Sequence, residues 1–163
     1  MKEKTVYSFG NGVSDGDASM KSVLGGKGAG LAEMTKIGLP VPSGFTIATN
    51  VCDAYYQSGK SYSDEVKEEV ARALGLLEER VGKRLGDKDD PLLVSVRSGA
   101  AVSMPGMLET ILNLGLNDES VEGLAKKTNN KRFALDAYRR FIMMYGSTAK
   151  DISRKKFDDI FEE

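Results

Sequence analysis

Between residues 24 and 34 the chain reads LGGKGAGLAEM, in which Gly25, Gly26, Gly28 and Gly30 surround one lysine, Lys27. These residue types can hold an anion. Glycine lets backbone approach a ligand closely, free amides at a helix start point towards negative charge, and lysine adds a mobile cation. The two standard phosphate signatures do not fit. A P-loop needs Ser or Thr directly after its lysine, but Gly28 follows Lys27, and the dinucleotide fingerprint needs glycine where the chain has Leu31. Gly59, Lys60 and Ser61 imitate the end of a P-loop, yet Ala54 occupies its first glycine position. The residues leave two readings open: a phosphate cradle, or a glycine-rich turn with a solvated lysine.

A second candidate is SVRSGAAVSMPGM, residues 95–107, where Arg97 ends an otherwise apolar run. The rigid fork of a guanidinium suits phosphate oxygens, and a salt bridge to an acidic neighbour is the alternative. Gly99 and Gly106 flank small residues whose backbone could close over a ligand, and Met104 and Met107 read as packing residues. Glu109 is a carboxylate close after that loop. Asp87, Asp89 and Asp90 form an acidic cluster in a polar loop and read as a solvated run rather than a metal site.

The chain contains no histidine, which excludes a Ser/His/Asp triad, a Cys/His pair, an imidazole base and a phosphohistidine. Cys52 is the sole cysteine, so no internal disulfide forms, and it is expected to be a small buried residue. With 23 Lys and Arg against 24 Asp and Glu, the net charge is -1, without the basic excess of a nucleic-acid binder. No apolar run approaches the roughly 20 residues that span a bilayer, and the first residues lack a signal peptide's apolar stretch. A cytoplasmic globular protein with no membrane partner is expected.

The elements that must position these residues follow from periodicity and turn residues. Residues 5–8 read as a short strand, followed by an exposed turn rich in Gly, Asn and Asp. A helix is predicted over 29–37, with Leu31, Met34 and Ile37 as its apolar face, so the glycines would lie at its N-terminus. A strand over 45–48 precedes a short helix capped by Thr49 or Asn50. Ser63 caps a longer helix whose core face is Val66, Val70, Ala73, Leu74, Leu77 and Val81. Residues after Pro91 read as a central, buried strand ending at Arg97, and 110–116 as another. Asn117 or Asp118 caps a helix to about residue 127. A further helix over 133–145 places Phe133, Ala137, Phe141 and Tyr145 on one side. A last helix starts at Ser153 and is periodic in Phe157, Ile160 and Phe161, as though cut off in a fragment.

Three ordered stretches, LGGKGAGLAEMTKIGLPVPSGFTIAT, DPLLVSVRSGAAVSMPGMLETILNLGLND and RFALDAYRRFIMMYG, resemble the N-terminal end of the pyruvate, phosphate dikinase family. The resemblance runs from about Val6 to at least Gly146. Phosphoenolpyruvate synthases have a similar glycine loop, but their pattern turns acidic after the VRS element. The resemblance implies an α+β fold: the N-terminal part of an ATP-grasp domain over 1–116, and the start of a helical subdomain over 117–163. It implies an enzyme that takes a phosphoryl group from ATP to a histidine on a swivelling domain and on to pyruvate, giving phosphoenolpyruvate, AMP and pyrophosphate. Lys27 would hold the ATP phosphates and Arg97 would stabilise the transferring group. Gly25, Gly26, Gly28, Met104 and Gly106 would line the nucleotide. The Mg²⁺ ligands, a nucleotide-contacting glutamine, the acceptor histidine and the pyruvate barrel would lie beyond residue 163. The implied partners are therefore ATP, the remaining ATP-grasp half, the phosphohistidine domain and a second copy in a homodimer, and the chain by itself would be inactive. The alternative is a non-catalytic module that binds a nucleotide, or a partner protein through an exposed face of Phe157, Ile160 and Phe161.

Overall fold

The computed structural model describes residues 4–99 and 110–161. Packing divides these residues into two compact units, one comprising 4–81 with Gly99, the other 82–98 with 110–161. The secondary structure is mixed, with helices and small antiparallel sheets.

In the first unit, β1 (Val6–Gly10) is the middle strand of an antiparallel sheet, flanked by β2 (Val13–Ser14) and β3 (Gly44–Ile47). The register pairs Gly10 with Val13 and Val6 with Ile47. Asn11 and Gly12 make the two-residue turn between β1 and β2, both at positive φ, as the twist of such a hairpin requires. Helix α1 (Lys21–Lys36) packs against all three strands, and α2 (Thr49–Gln57) packs against α1. Helix α3 (Asp64–Val81) packs against β1 and β3. Leu24, Ala29 and Ala32 form a buried cluster with Tyr7, Met20 and Val23 against it.

The buried face of α1 differs from the sequence prediction. Ala29, Ala32 and Thr35 are buried, whereas Met34 and Ile37 are exposed and Leu31 is half-buried. The helix lies so close to β3 that a Cβ on Gly28 would stand 2.8 Å from the Thr46 methyl, and this approach selects small side chains over long ones. Helix α3 follows the prediction more closely: Ala73 and Leu77 are buried, and the Ser63 hydroxyl accepts from the Val66 amide at 3.4 Å. Its last predicted core residue, Val81, is exposed. Cys52 is also exposed rather than buried, because α2 turns Val51 to the interior and leaves its neighbour outside.

One carboxylate fastens α3 to the sheet. Oxygen Oε2 of Glu69 accepts from the Thr5 amide at 3.0 Å, the Thr5 hydroxyl at 2.8 Å and the Val6 amide at 3.0 Å. The Thr5 hydroxyl and amide, followed by the Val6 amide, favour the charged form and lower the Glu69 pKa below 4.5.

In the second unit, β4 (Val94–Arg97) and β5 (Thr110–Leu114) form a two-stranded antiparallel ladder. The predicted strand is present but is not central. Leu92 is buried, while Ser95, Val96 and Arg97 are exposed, since β4 has β5 as its one partner among the described residues. Helix α4 (Ser120–Thr128) packs on α5 (Lys131–Ala149), which packs on β5 and carries α6 (Arg154–Phe161). As predicted, Asn117 caps α4: its side-chain oxygen accepts from the amides of Glu119 at 2.9 Å and Ser120 at 2.7 Å. The wholly buried Ser120 hydroxyl accepts from the Asn117 amide and donates to the Gly115 carbonyl.

The buried face of α5 is Ala134, Ala137 and Gly146, so Phe133 and Tyr145 are more exposed than predicted. Gly146 makes room for Phe157, whose Cζ would stand 2.6 Å from an added Cβ. Phe157 is thus engaged within the unit rather than free for docking. Ile160 is exposed, and the Phe161 side chain lies outside the described residues.

Two tests follow from this packing. Gly115→Ala would place a Cβ 2.2 Å from the Leu92 carbonyl oxygen at φ +119°, and urea unfolding should show a loss of about 2 kcal/mol or more. Gly75→Ala in α3, with open space around it, should instead gain up to about 1 kcal/mol. The Glu69 contact should be fully present above pH 4.5 and lost as pH falls through the lowered folded value. Stability measured from pH 7 to pH 3 should therefore fall less steeply in Glu69→Gln than in the parent chain.

Candidate functional site

The candidate site begins at a fault in α1. Gly25 has φ 69° and ψ 169°, far from helical values, so the helix is two pieces joined at this residue. The first piece is a single turn over 21–24, and the second runs from Gly26 to Lys36. A positive φ of this kind suits glycine and strains any residue with a Cβ. The ψ value rotates the Gly25–Gly26 peptide away from the helical direction, so Gly26, Lys27 and Gly28 form the first turn of a new helix. Amides of a first helical turn have no acceptor within their own helix, and the helix dipole adds partial positive charge there.

The three glycines have separate local causes. Gly25 supplies the torsion, and Gly28 is buried because the helix touches Thr46 at that point. Around Gly26, nothing lies within 4 Å of the position a Cβ would take. Open space beside a glycine at a helix start, next to the half-buried Lys27, is the geometry that lets backbone meet a phosphate. The Gly59-Lys60-Ser61 imitation is built differently. It ends α2 instead of opening a helix, with the Lys60 amide donating back to the Tyr55 carbonyl.

Two threonines support the turn, and neither is marked by the local sequence pattern. Thr46 of β3 sets the depth of Gly28. The Thr49 hydroxyl, predicted as a helix cap, donates instead to the Ser22 carbonyl at 2.6 Å, while α2 starts after Ala48 with no side-chain cap.

Arg97 belongs to the second unit, as the last residue of β4 opposite Thr110. The ladder shifts register between Val94 and Val96, and the extra residue falls on β5, where Asn113 adopts φ 60°. Such a bulge increases local twist and re-aims the neighbouring side chains. Arg97 is exposed and has no ion-pair partner among the described residues, so the salt-bridge alternative gains no support from them. Met104, Gly106, Met107 and Glu109 lie outside the described residues. Gly25, Gly26, Lys27 and Gly28 are gathered on one turn of the first unit, and Arg97 stands on a strand of the second.

The acidic cluster is committed to structure. One Asp87 oxygen accepts from the amides of Asp89 at 2.9 Å and Asp90 at 2.8 Å. Asp90 pairs with Lys127 and with Lys83, which together lower its pKa. Among the described residues, no three His, Cys, Asp or Glu side chains are grouped to hold a metal. No helix among them is long and apolar enough to cross a membrane.

A glycine-broken helix start with an adjacent lysine, in a mixed α/β unit, is a geometry that can receive an anion. The family model described as "Pyruvate phosphate dikinase, AMP/ATP-binding domain" matches residues 21–72, a span that contains the whole turn and both supporting threonines. Pyruvate, phosphate dikinase of Clostridium symbiosum is 54% identical over 159 residues, covering 98% of this chain and 18% of that protein. The chloroplastic enzyme of Mesembryanthemum crystallinum is 52% identical over 160 residues, with 98% and 17% covered. The Entamoeba histolytica enzyme is 52% identical over 157 residues, with 96% and 17% covered. The chain is similar to pyruvate, phosphate dikinases along nearly its whole length and to their AMP/ATP-binding domain over residues 21–72, and it spans less than a fifth of the length of these curated relatives.

The differing roles of the three glycines can be separated by stability alone. Gly25→Ala and Gly28→Ala should each lower the melting temperature by about 3–10 °C, through strain and overpacking respectively. Gly26→Ala should leave it within about 2 °C of the parent chain, as a first-turn helical position with room for a methyl group. Differential scanning calorimetry of the three variants checks both outcomes.

Proposed function

We propose that this chain supplies one wall of the ATP site in an enzyme of the pyruvate, phosphate dikinase type. The observation that carries the proposal is the break at Gly25, which opens a helix at Gly26 and Lys27 inside the stretch matched to an AMP/ATP-binding domain. Lys27 holds the ATP phosphates, the amides of Gly26 and Gly28 lie beside them, and Gly25 shapes the turn. Arg97 stabilises charge on the transferring phosphoryl group, a role suited to its exposed position and its lack of an acidic partner among the described residues. Met104 and Gly106, as the family resemblance implies, contact the nucleotide.

The domain is of the ATP-grasp kind, divided after residue 116, and the phosphoryl group passes through a phosphohistidine on another domain to pyruvate. Mg²⁺ is bound by carboxylates outside this chain; within the acidic cluster, Asp87 is held by two amides and Asp90 by two lysines. The homodimer and the cytoplasmic setting belong to the same proposal.

Phosphoryl transfer needs positioning and charge stabilisation more than covalent chemistry from the protein. A lysine, an arginine and free amides are suited to that work. Isothermal titration of the chain with ATP should show binding that Lys27→Ala weakens by about tenfold or more, the loss expected for a charge-assisted contact. Gly26→Ala should also weaken it, without a loss of thermal stability. Equal affinity in the parent chain and Lys27→Ala would remove the phosphate role from this turn.

A further inference from the structure

We infer that Thr49 is a positioning residue that keeps α1 broken at Gly25 and so keeps the Gly26 amide available to a phosphate. This inference rests on the proposed role of the Gly25–Gly28 turn and deepens it.

In an unbroken α-helix each amide donates to the carbonyl four residues back, so the carbonyl belonging to the Gly26 amide is that of Ser22. The Thr49 hydroxyl donates to this same carbonyl at 2.6 Å. The break therefore has a specific competitor at the acceptor that would heal it. Gly25, with its torsions of 69° and 169°, provides the freedom to break. Thr49 provides the reason for the break to persist, because the carbonyl released at the end of the first turn is already satisfied.

The surroundings hold Thr49 where it can act. It is the first residue of α2, which follows β3 directly, and β3 carries the Thr46 contact to Gly28. Buried Ala48 donates its amide to the Thr5 carbonyl at 2.8 Å, tying the start of α2 to the β1 end of the sheet. Leu24 and Val23 anchor the first turn of α1 in the core from the other side. A single helical turn does not persist by itself, so its direction depends on these external contacts. If the hydroxyl is lost, the Ser22 carbonyl can recapture the Gly26 amide and the two pieces of α1 relax towards one helix. The amide then points along the helix and not towards a ligand.

The test compares the parent chain with Thr49→Val, Thr49→Ser and Lys27→Ala, using amide hydrogen exchange followed by NMR and titration with ATP. Thr49→Val should slow exchange at the Gly26 amide by about tenfold or more, as a helical hydrogen bond forms there. It should also weaken ATP about fivefold, the scale of one hydrogen bond, while the melting temperature stays unchanged. Thr49→Ser, which keeps the hydroxyl, should restore both values. Unchanged Gly26 exchange in Thr49→Val overturns the inference, whatever happens to nucleotide affinity. Slowed exchange with unchanged ATP affinity shows that Thr49 holds the break but overturns its role in binding. Failure of Lys27→Ala to weaken ATP strikes the proposed phosphate site instead, and the exchange result still decides whether Thr49 maintains the break.

Discussion

The peptide between Gly25 and Gly26 cannot follow α1 in both directions. The Gly25 torsions end one helical turn and begin another helix, whose first-turn amides at Gly26, Lys27 and Gly28 have no acceptor within that helix. The surrounding packing answers to that requirement. Gly28 and the small residues Ala29 and Ala32 let the second helical piece lie tightly on the sheet, while Leu24 pins the short first piece into the core. Had the helix been continuous, the same glycines would have been mere weak points in it, each unfavourable by up to about 1 kcal/mol relative to alanine.

The sheet gives this break a rigid support. β3 touches Gly28 through Thr46, and β3 pairs along β1, whose start is fastened to α3 by the Glu69 carboxylate. A local feature of four residues is thus coupled to elements distant in sequence by backbone pairing and a few hydrogen bonds. The buried stripe of the second helical piece is made of small residues, because Gly28 approaches the Thr46 side chain closely. The second unit is organised differently. There, buried Ser120, the Asn117 cap and the Asp90 ion pairs with Lys83 and Lys127 join β5, α4 and the preceding loop.

Much of this was legible in the residues. Turn and cap chemistry located α3, α4 and the strand ending at Arg97, and the glycine run marked a helix start before any geometry was known. Faces were less legible. Leu31, Met34 and Ile37 keep helical spacing, but Gly28 brings α1 so close to β3 that the buried stripe is the small-residue one, and hydrophobicity carries no record of that distance. Cys52 and Val96 are exposed despite their buried type for a related reason: a residue on a short helix or a two-stranded ladder has few neighbours to cover it. Local chemistry offers Thr49 or Asn50 as a cap, whereas the partner that the Thr49 hydroxyl takes, Ser22, lies 27 residues away.

The central claim is that the broken turn of α1 receives phosphate and not the rest of a nucleotide. Mapping amide chemical shifts during titration with ATP, and separately with adenosine, tests it most directly. The account predicts that ATP shifts the amides of Gly26, Lys27 and Gly28 strongly while adenosine leaves them in place. Equal shifts from both ligands, or ATP shifts confined to other parts of the chain, would contradict it.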